Sequence, residues 1–245
     1  MIYLRKFETT AQYEAAESGL ILPNVSLVTE TMDVYFNPYV EPQHDWVEIG
    51  GHKWATMNIG AETETDYGLY FQWGDTQGYT AAQVGSGEGK KYFSREDYIY
   101  YNDGSYTKYN TSDNKTTLEP TDDAVTAAWG GNWRIPTKEE YQDLKSATTS
   151  AWTADYEGSG VAGLVLTSID DSSKKLFFPA CGYAKEGSMH NVGAAGGYGG
   201  YWLSSHDTAI GNDLSISMNF GSASFIYGYN SRIQGECVRG ILDEQ

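Results

Sequence analysis

Chemistry in this chain would first be sought at its four histidines, His44, His52, His190 and His206. Zinc sites set imidazoles at short spacings such as H-x-H or H-E-x-x-H, which turn both rings toward one metal. None of the four is spaced in that way, and no metal site is expected. Ser204, Ser205, His206 and Asp207 supply the residue types of a nucleophilic triad. A triad needs its members to converge from separate elements, so this run reads as a polar turn. "GSGEGKK" at 85–91 has the look of a phosphate loop, but its leading glycine is missing and Lys91 stands where Ser or Thr must be. The carboxylate pairs Asp122-Asp123 and Asp170-Asp171 fall at a helix start and in a turn, where capping accounts for them. No alternating-Asp calcium loop occurs. Cys181 and Cys237 are too few for a disulfide framework; they read as buried free thiols, with a single bridge as the alternative. No catalytic residue and no cofactor are expected.

A different chemistry is offered by "FGSASFIYGYNSRIQGECVRG" at 220–240. Phe225, Ile226, Tyr227 and Tyr229 stand there among Gly, Ser and Asn, in a segment that reads as exposed loop before a closing strand. An aromatic side chain hides roughly 150–250 Å². At about 25 cal/mol/Å², leaving one in water forgoes several kcal/mol. Rings clustered at the surface therefore suggest a surface that another molecule covers. The alternative is that Phe225 or Ile226 folds beneath the loop.

The elements that must hold these residues can be read from pattern. Residues 1–42 form a small module. Thr9 and Gln12 fit a capping box, followed by a helix that Gly19 ends. Strands at 25–28 and 33–36 are joined by the turn "TETM", and "NPYVEPQHD" reads as a linker. Residues 43–245 form the main domain. Its "WVEIGGHKWATMNIG" is two short strands turned at Gly50-Gly51, and "YGLYFQWGDT" is an aromatic strand ended by Gly74-Asp75. Residues 76–118 are long surface loop. Thr121 is the expected N-cap of a helix stopped by Gly130. Thr137 and Glu140 cap a second helix, with Tyr141 and Leu144 inward. "GLVLTS", "KLFFPACGY" and "ECVRGIL" are strands. In "DLSISMNF" Leu214, Ile216, Met218 and Phe220 alternate with Ser215, Ser217 and Asn219, which predicts one buried and one wet face.

The bulk numbers narrow the partners. The chain has 245 residues, 28 Gly, 20 Tyr, 7 Trp and a net charge of −17. That sign repels phosphate backbones and anionic lipid, so neither nucleic acid nor membrane insertion is expected. No apolar run reaches membrane-spanning length, and the start lacks a secretory h-region. The expected site is the cytoplasm of the cell that makes it, without a signal peptide.

The order of motifs says more than any one of them. "VEIGGHKWATMNIG", "YGLYFQWGD", "AAWGGNWRIPTKEEYQDL", "LFFPACGY", "GYWLSS" and a final R-x-x-G-x-x-V-R-G follow one another from 46 to 241. Together they resemble the Fibrobacter-type major paralogous domain, within the C-type-lectin-like and formylglycine-generating-enzyme-like folds. The resemblance implies an α+β domain with two helices, short antiparallel strands and long loops, preceded here by the helix–hairpin module. Trp133, Ile135 and Pro136 would set the start of the second helix, Tyr201 and Trp202 a central strand, and Arg239 the final strand. "EPT" at 119–121 and "GND" at 211–213 depart from the lectins' calcium motifs. Cys181 and Cys237, read on two strands, depart from the cysteine pair of the formylglycine-generating oxidases.

The opening segment and the "GYW-S-S … N-S-R-x-x-G-x-x-V-R" ending are similar to phage and prophage proteins diversified by retroelements, of the major tropism determinant type. That resemblance implies a non-enzymatic, virion-associated binding protein of gut bacteria. Its display positions would be Tyr198, His206, Asp207, Ile210, Asn212, Phe225, Tyr227, Tyr229 and Asn230. The expected partner is a host cell-surface protein or glycan, and residues 1–42 would serve attachment to a phage tail or formation of a homotrimer. The alternatives are a carbohydrate-binding surface module of a gut bacterium and a formylglycine-generating-type oxidase.

Overall fold

The computed structural model describes residues 3–7, 24–28, 33–37, 44–193 and 197–244. It divides into two compact units, Met1–Gln43 and His44–Gln245. In the first, β1 (Tyr3–Phe7) runs parallel to β2 (Asn24–Val28), which pairs antiparallel with β3 (Asp33–Asn37). β2 and β3 are the two predicted strands, each one residue longer. β1 carries no clear sequence signal, because Arg5 and Lys6 interrupt its apolar pattern. The predicted helix from Thr9 to Gly19, the turn at 29–32 and the linker up to Gln43 lie outside the described residues.

The second unit is mixed α+β, with two short α-helices and many short antiparallel strands among the described residues. β4 (Trp46–Ile49) and β5 (His52–Asn58) form the expected hairpin. Gly50 and Gly51 turn it at φ of 65° and 80°, a region closed to most side chains. Beside β5 lies the last strand, β17 (Arg239–Leu242), which also pairs with β8 (Trp133–Arg134), so the sheet order is β4-β5-β17-β8. The end of the unit thus returns to its beginning.

Residues 67–75 are not the predicted strand. Tyr70, Phe71, Gln72 and Trp73 are buried on both sides, so the segment threads between core clusters with no continuous neighbour. Its donors are satisfied singly, Tyr70 N–H by Tyr79 C=O, Phe71 N–H by Glu236 C=O and Trp73 N–H by Arg232 C=O. The following loop holds a 3-10 turn at Ala81–Gln83 and the short β6 (Tyr101–Asn102) and β7 (Ser105–Tyr106). It is not all surface, because Phe93, Tyr98 and Tyr109 are buried within it.

α1 (Ala124–Trp129) is capped by Asp123 rather than Thr121. Pro120–Asp122 forms a 3-10 turn instead. The Asp123 carboxylate accepts from Val125, Thr126 and Ile135 N–H, while Asp122 pairs with Lys108 and Tyr109. α2 (Lys138–Ser146) carries the predicted Thr137–Glu140 capping box and buries Tyr141 and Leu144. β9 (Thr148–Thr153), which its exposed polar composition concealed, joins β10 (Gly163–Ser168) and β11 (Lys175–Pro179) in the order β11-β10-β9. β12 (Tyr183–Lys185) and β13 (Ser188–His190) form a small hairpin. β14 (Tyr198–Trp202), β15 (Leu214–Gly221) and β16 (Ser224–Ser231) complete the unit as an antiparallel sheet.

One core cluster gathers Tyr141, Leu144, Leu164, Tyr201, Met218 and Phe220; the other gathers Trp73, Tyr109, Val125, Trp129, Trp133 and Trp202. No helix among the described residues is long and apolar enough to cross a membrane.

Candidate recognition surface

The segment read as exposed loop is an eight-residue strand. Ser222 and Ala223 make a two-residue turn, so Gly221 faces Ser224 and every later pair follows in step to Leu214 opposite Ser231. Short turns set register in this way, and Phe, Ile and Tyr suit a half-buried pleated surface. Gly199 permits the pairing on the far side: a Cβ there would lie 2.0 Å from the Phe220 ring opposite it.

Strand alternation splits the proposed aromatic cluster between two faces. Phe225, Tyr227 and Tyr229 are opposite Phe220, Met218 and Ile216 and share their core-facing side. Phe225 and Tyr227 are half-buried on the first core cluster. The Tyr141 ring meets each edge-on, with centroids 5.3 Å and 6.3 Å away. Lys138 Nζ lies 4.4 Å from the Tyr227 centroid and Lys145 Nζ 5.8 Å from that of Phe225. Tyr229, at the rim, is 40% exposed.

Ile226, Gly228 and Asn230 face the other way with Asn219, Ser217 and Ser215. Ile226 is 52% exposed. This face is not simply wet. Ser215 and Ser217 are fully buried; Ser217 lies opposite Trp202 of the second cluster, and Ser215 Oγ donates to Ser205 C=O. Alternation with serine looked like solvent exposure and is instead a polar layer between two cores.

Tyr198, Asn219 and Asn230 line its half-open end. Tyr198 Oη donates to Asn219 Oδ1 at 2.5 Å, and Asn230 Nδ2 donates to Glu236 Oε1 at 2.5 Å. Gln234 Nε2 donates to the same oxygen at 2.6 Å. Glu236 is fully buried and its Oε2 has no partner among the described residues. Burial pushes its pKa up to about 7, against hydrogen bonds from Ser217, Gln234 and Asn230 that favour the ionised form. Tyr183 stands edge-on to Tyr198, with its ring stacked on His190.

The nine predicted display positions therefore do not form one patch. Tyr198, Phe225, Tyr227, Tyr229 and Asn230 belong to this sheet. Asp207, Ile210 and Asn212 lie in the connection before β15, near the end farthest from the turn. Phe225 and Tyr198, at the turn end of the sheet, lie roughly 20 Å from them along the strand, whereas Tyr229 and Asn230, opposite Ile216 and Ser215, stand at the same end as they do. Asp207 accepts from Ala209 N–H as a local cap, and Asn212 accepts from Thr111 N–H. His206 is a correction, since it is only 3% exposed and tilted against Trp73. Its pKa is lowered to about 4, by burial and then by the Arg232 charge, against the opposing pull of Asp207, Asp113 and the Leu214 backbone.

Ser205 Oγ accepts from Lys138 N–H and forms no hydrogen bond with the His206 ring. Cys181 and Cys237 are buried free thiols lying outside the regular strands rather than on them. Among the described residues no three of His, Cys, Asp and Glu gather as metal ligands. Sequence reading passed over Lys138, Lys145, Asn219 and Glu236. For Asn219 the strand alternation was a usable signal; the lysines belong to a helix some eighty residues earlier, and nothing local ties them to the hairpin. Comparison with family models, curated proteins and solved structures returns no match to the chain.

Proposed function

We propose that the chain is a non-enzymatic binding protein of a phage or prophage, on a C-type-lectin-like scaffold, with β14, β15 and β16 as its recognition surface. The observation that carries this reading is the exposure of Ile226 on one face and of Tyr229 at the rim of the other, on a strand that Phe225 and Tyr227 hold against the core. A rigid element that leaves apolar side chains in water gains stability when a partner covers them, and loses little ordering entropy in doing so. The return of β17 to β5 and the motif order support the scaffold, and the opening segment with the "GYW-S-S … N-S-R-x-x-G-x-x-V-R" ending supports the phage context. The ligand is a protein or glycan on a bacterial surface, reached by a unit that residues 1–42 attach to the particle.

The test uses the full chain, fluorescently labelled, on intact gut-bacterial cells. Ile226→Ala with Tyr229→Ala is expected to lose roughly 2 kcal/mol of binding, about thirtyfold, with an unchanged melting midpoint. Retained binding refutes the surface. A carbohydrate-binding module is the second reading. It is favoured by a cleft of about 230 Å³ near the hairpin turn, where Trp152 and Phe225 stand beside Ser150, Ser222 and Ser224. Sugar binding lost on Trp152→Ala and kept on Tyr229→Ala would select it.

A further inference from the structure

We propose that the free edge of β16 is a strand-addition site, and that its occupant is an extended, acidic segment of a partner protein. The inference rests on the recognition reading above and names the chemistry of the partner. The pair flanking a two-residue hairpin turn exchanges hydrogen bonds, as does every second pair after it. Here those pairs are Gly221–Ser224, Asn219–Ile226, Ser217–Gly228 and Ser215–Asn230. The N–H and C=O groups of Phe225, Tyr227 and Tyr229 therefore point away from β15. No backbone hydrogen bond among the described residues takes them up. β16 is the last strand of its sheet. It contains no charge and no proline, so the usual means of blunting an edge are missing.

Charge selects the occupant. Lys138 and Lys145 lie over the Tyr227 and Phe225 rings, and neither forms an ion pair among the described residues. A strand added along β16 places alternate side chains on the α2 side, within reach of both ammonium groups. Asp or Glu at those positions, with apolar residues between them toward Ile226, fits the edge. A second copy of the chain brings two more lysines and a further net charge of −17, which opposes self-pairing. Main-chain bonds then supply affinity and alternate side chains supply selectivity.

The experiment selects random displayed peptides of about eight residues on the immobilised full chain and measures the enriched ones by fluorescence anisotropy. They are expected to carry acidic residues at alternate positions and to weaken about tenfold or more on Lys138→Glu with Lys145→Glu. Proline at an outward-facing N–H leaves the β15–β16 ladder intact. Tyr229→Pro should therefore bind about tenfold more weakly than Tyr229→Ala, which removes the same ring. N-methylation of alternate peptide amides, which leaves the protein untouched, should abolish binding. Equal affinity for Tyr229→Pro and Tyr229→Ala, tolerance of N-methylation in both registers, or no enriched peptide overturns the proposal. So does a dimer in sedimentation that Tyr229→Pro dissociates. If cell binding falls equally in Tyr229→Ala and Tyr229→Pro, the recognition surface stands and strand addition falls.

Discussion

Replacing Glu236 by glutamine keeps the shape of the side chain and removes a charge that the interior does not compensate. Oε1 holds two amide donors, while Oε2 has no hydrogen-bond partner among the described residues, and the groups that bond the carboxyl, from Asn230, Gln234 and Ser217, are neutral. The carboxyl is ordinary in the unfolded chain, near 4.5, and is pushed up to about 7 in the folded one. A group with a raised folded pKa contributes its full stability below the unfolded value and loses it as pH rises through the folded value. At about 1.4 kcal/mol for each tenfold in proton affinity, Glu236 withdraws roughly 3 kcal/mol between pH 4.5 and pH 8. The amide of Glu236→Gln never ionises. The variant should match the parent at pH 4.5 and exceed it by roughly 3 kcal/mol at pH 8, a gain of about 6–12 °C in melting midpoint. Urea unfolding at the two pH values measures the difference directly. A stability gap that is the same at both refutes the account, because it would mean that the carboxylate already has a counter-charge or water shell in the folded state.

His206 bears the opposite dependence. Its lowered pKa keeps it neutral when folded, so its contribution is present above about 6.5 and is lost as pH falls toward 4. His206→Leu should remove that loss, and an unchanged acid limb of the stability profile would contradict the burial. Glu236 and His206 oppose one another between pH 4.5 and 6.5, so each single variant should expose a slope that the parent partly cancels. Arg232 is buried and has no carboxylate partner among the described residues. It donates to Tyr98 Oη and to the carbonyls of Lys108, Tyr109 and Asn212, within a cage that includes Trp73. Arg232→Met strands those acceptors and should cost about 3–5 kcal/mol in denaturant unfolding; a cost below about 1 kcal/mol would show that the loop from 98 to 113 is held by other contacts.

The parts of the fold legible in advance were those that local physics decides. The Thr137–Glu140 box, the Gly50-Gly51 turn, the apolar alternation of Ile216, Met218 and Phe220 and the Gly130 stop all lie within a few residues of what they control. Where a second element competed, local reading failed. Asp123 rather than Thr121 caps α1 because the same carboxylate also receives Ile135 N–H. The aromatic run at 67–75 is no strand because both of its sides are claimed by core. Ser215 and Ser217 are dry because their face turns toward Trp202 and the second cluster rather than toward water.

The recognition site divides along the same line. That the last hairpin holds Phe225, Ile226, Tyr227 and Tyr229 in a charge-free stretch is a property of the sequence, and so is the net charge that repels polyanions. Which of the four meets water, and what stands beside them, was decided only by tertiary structure. Period-two alternation assigns side chains to two faces but does not say which face is covered. That depends on α2 arriving with Tyr141, Lys138 and Lys145 on one side, and on the 232–238 segment burying Glu236 on the other.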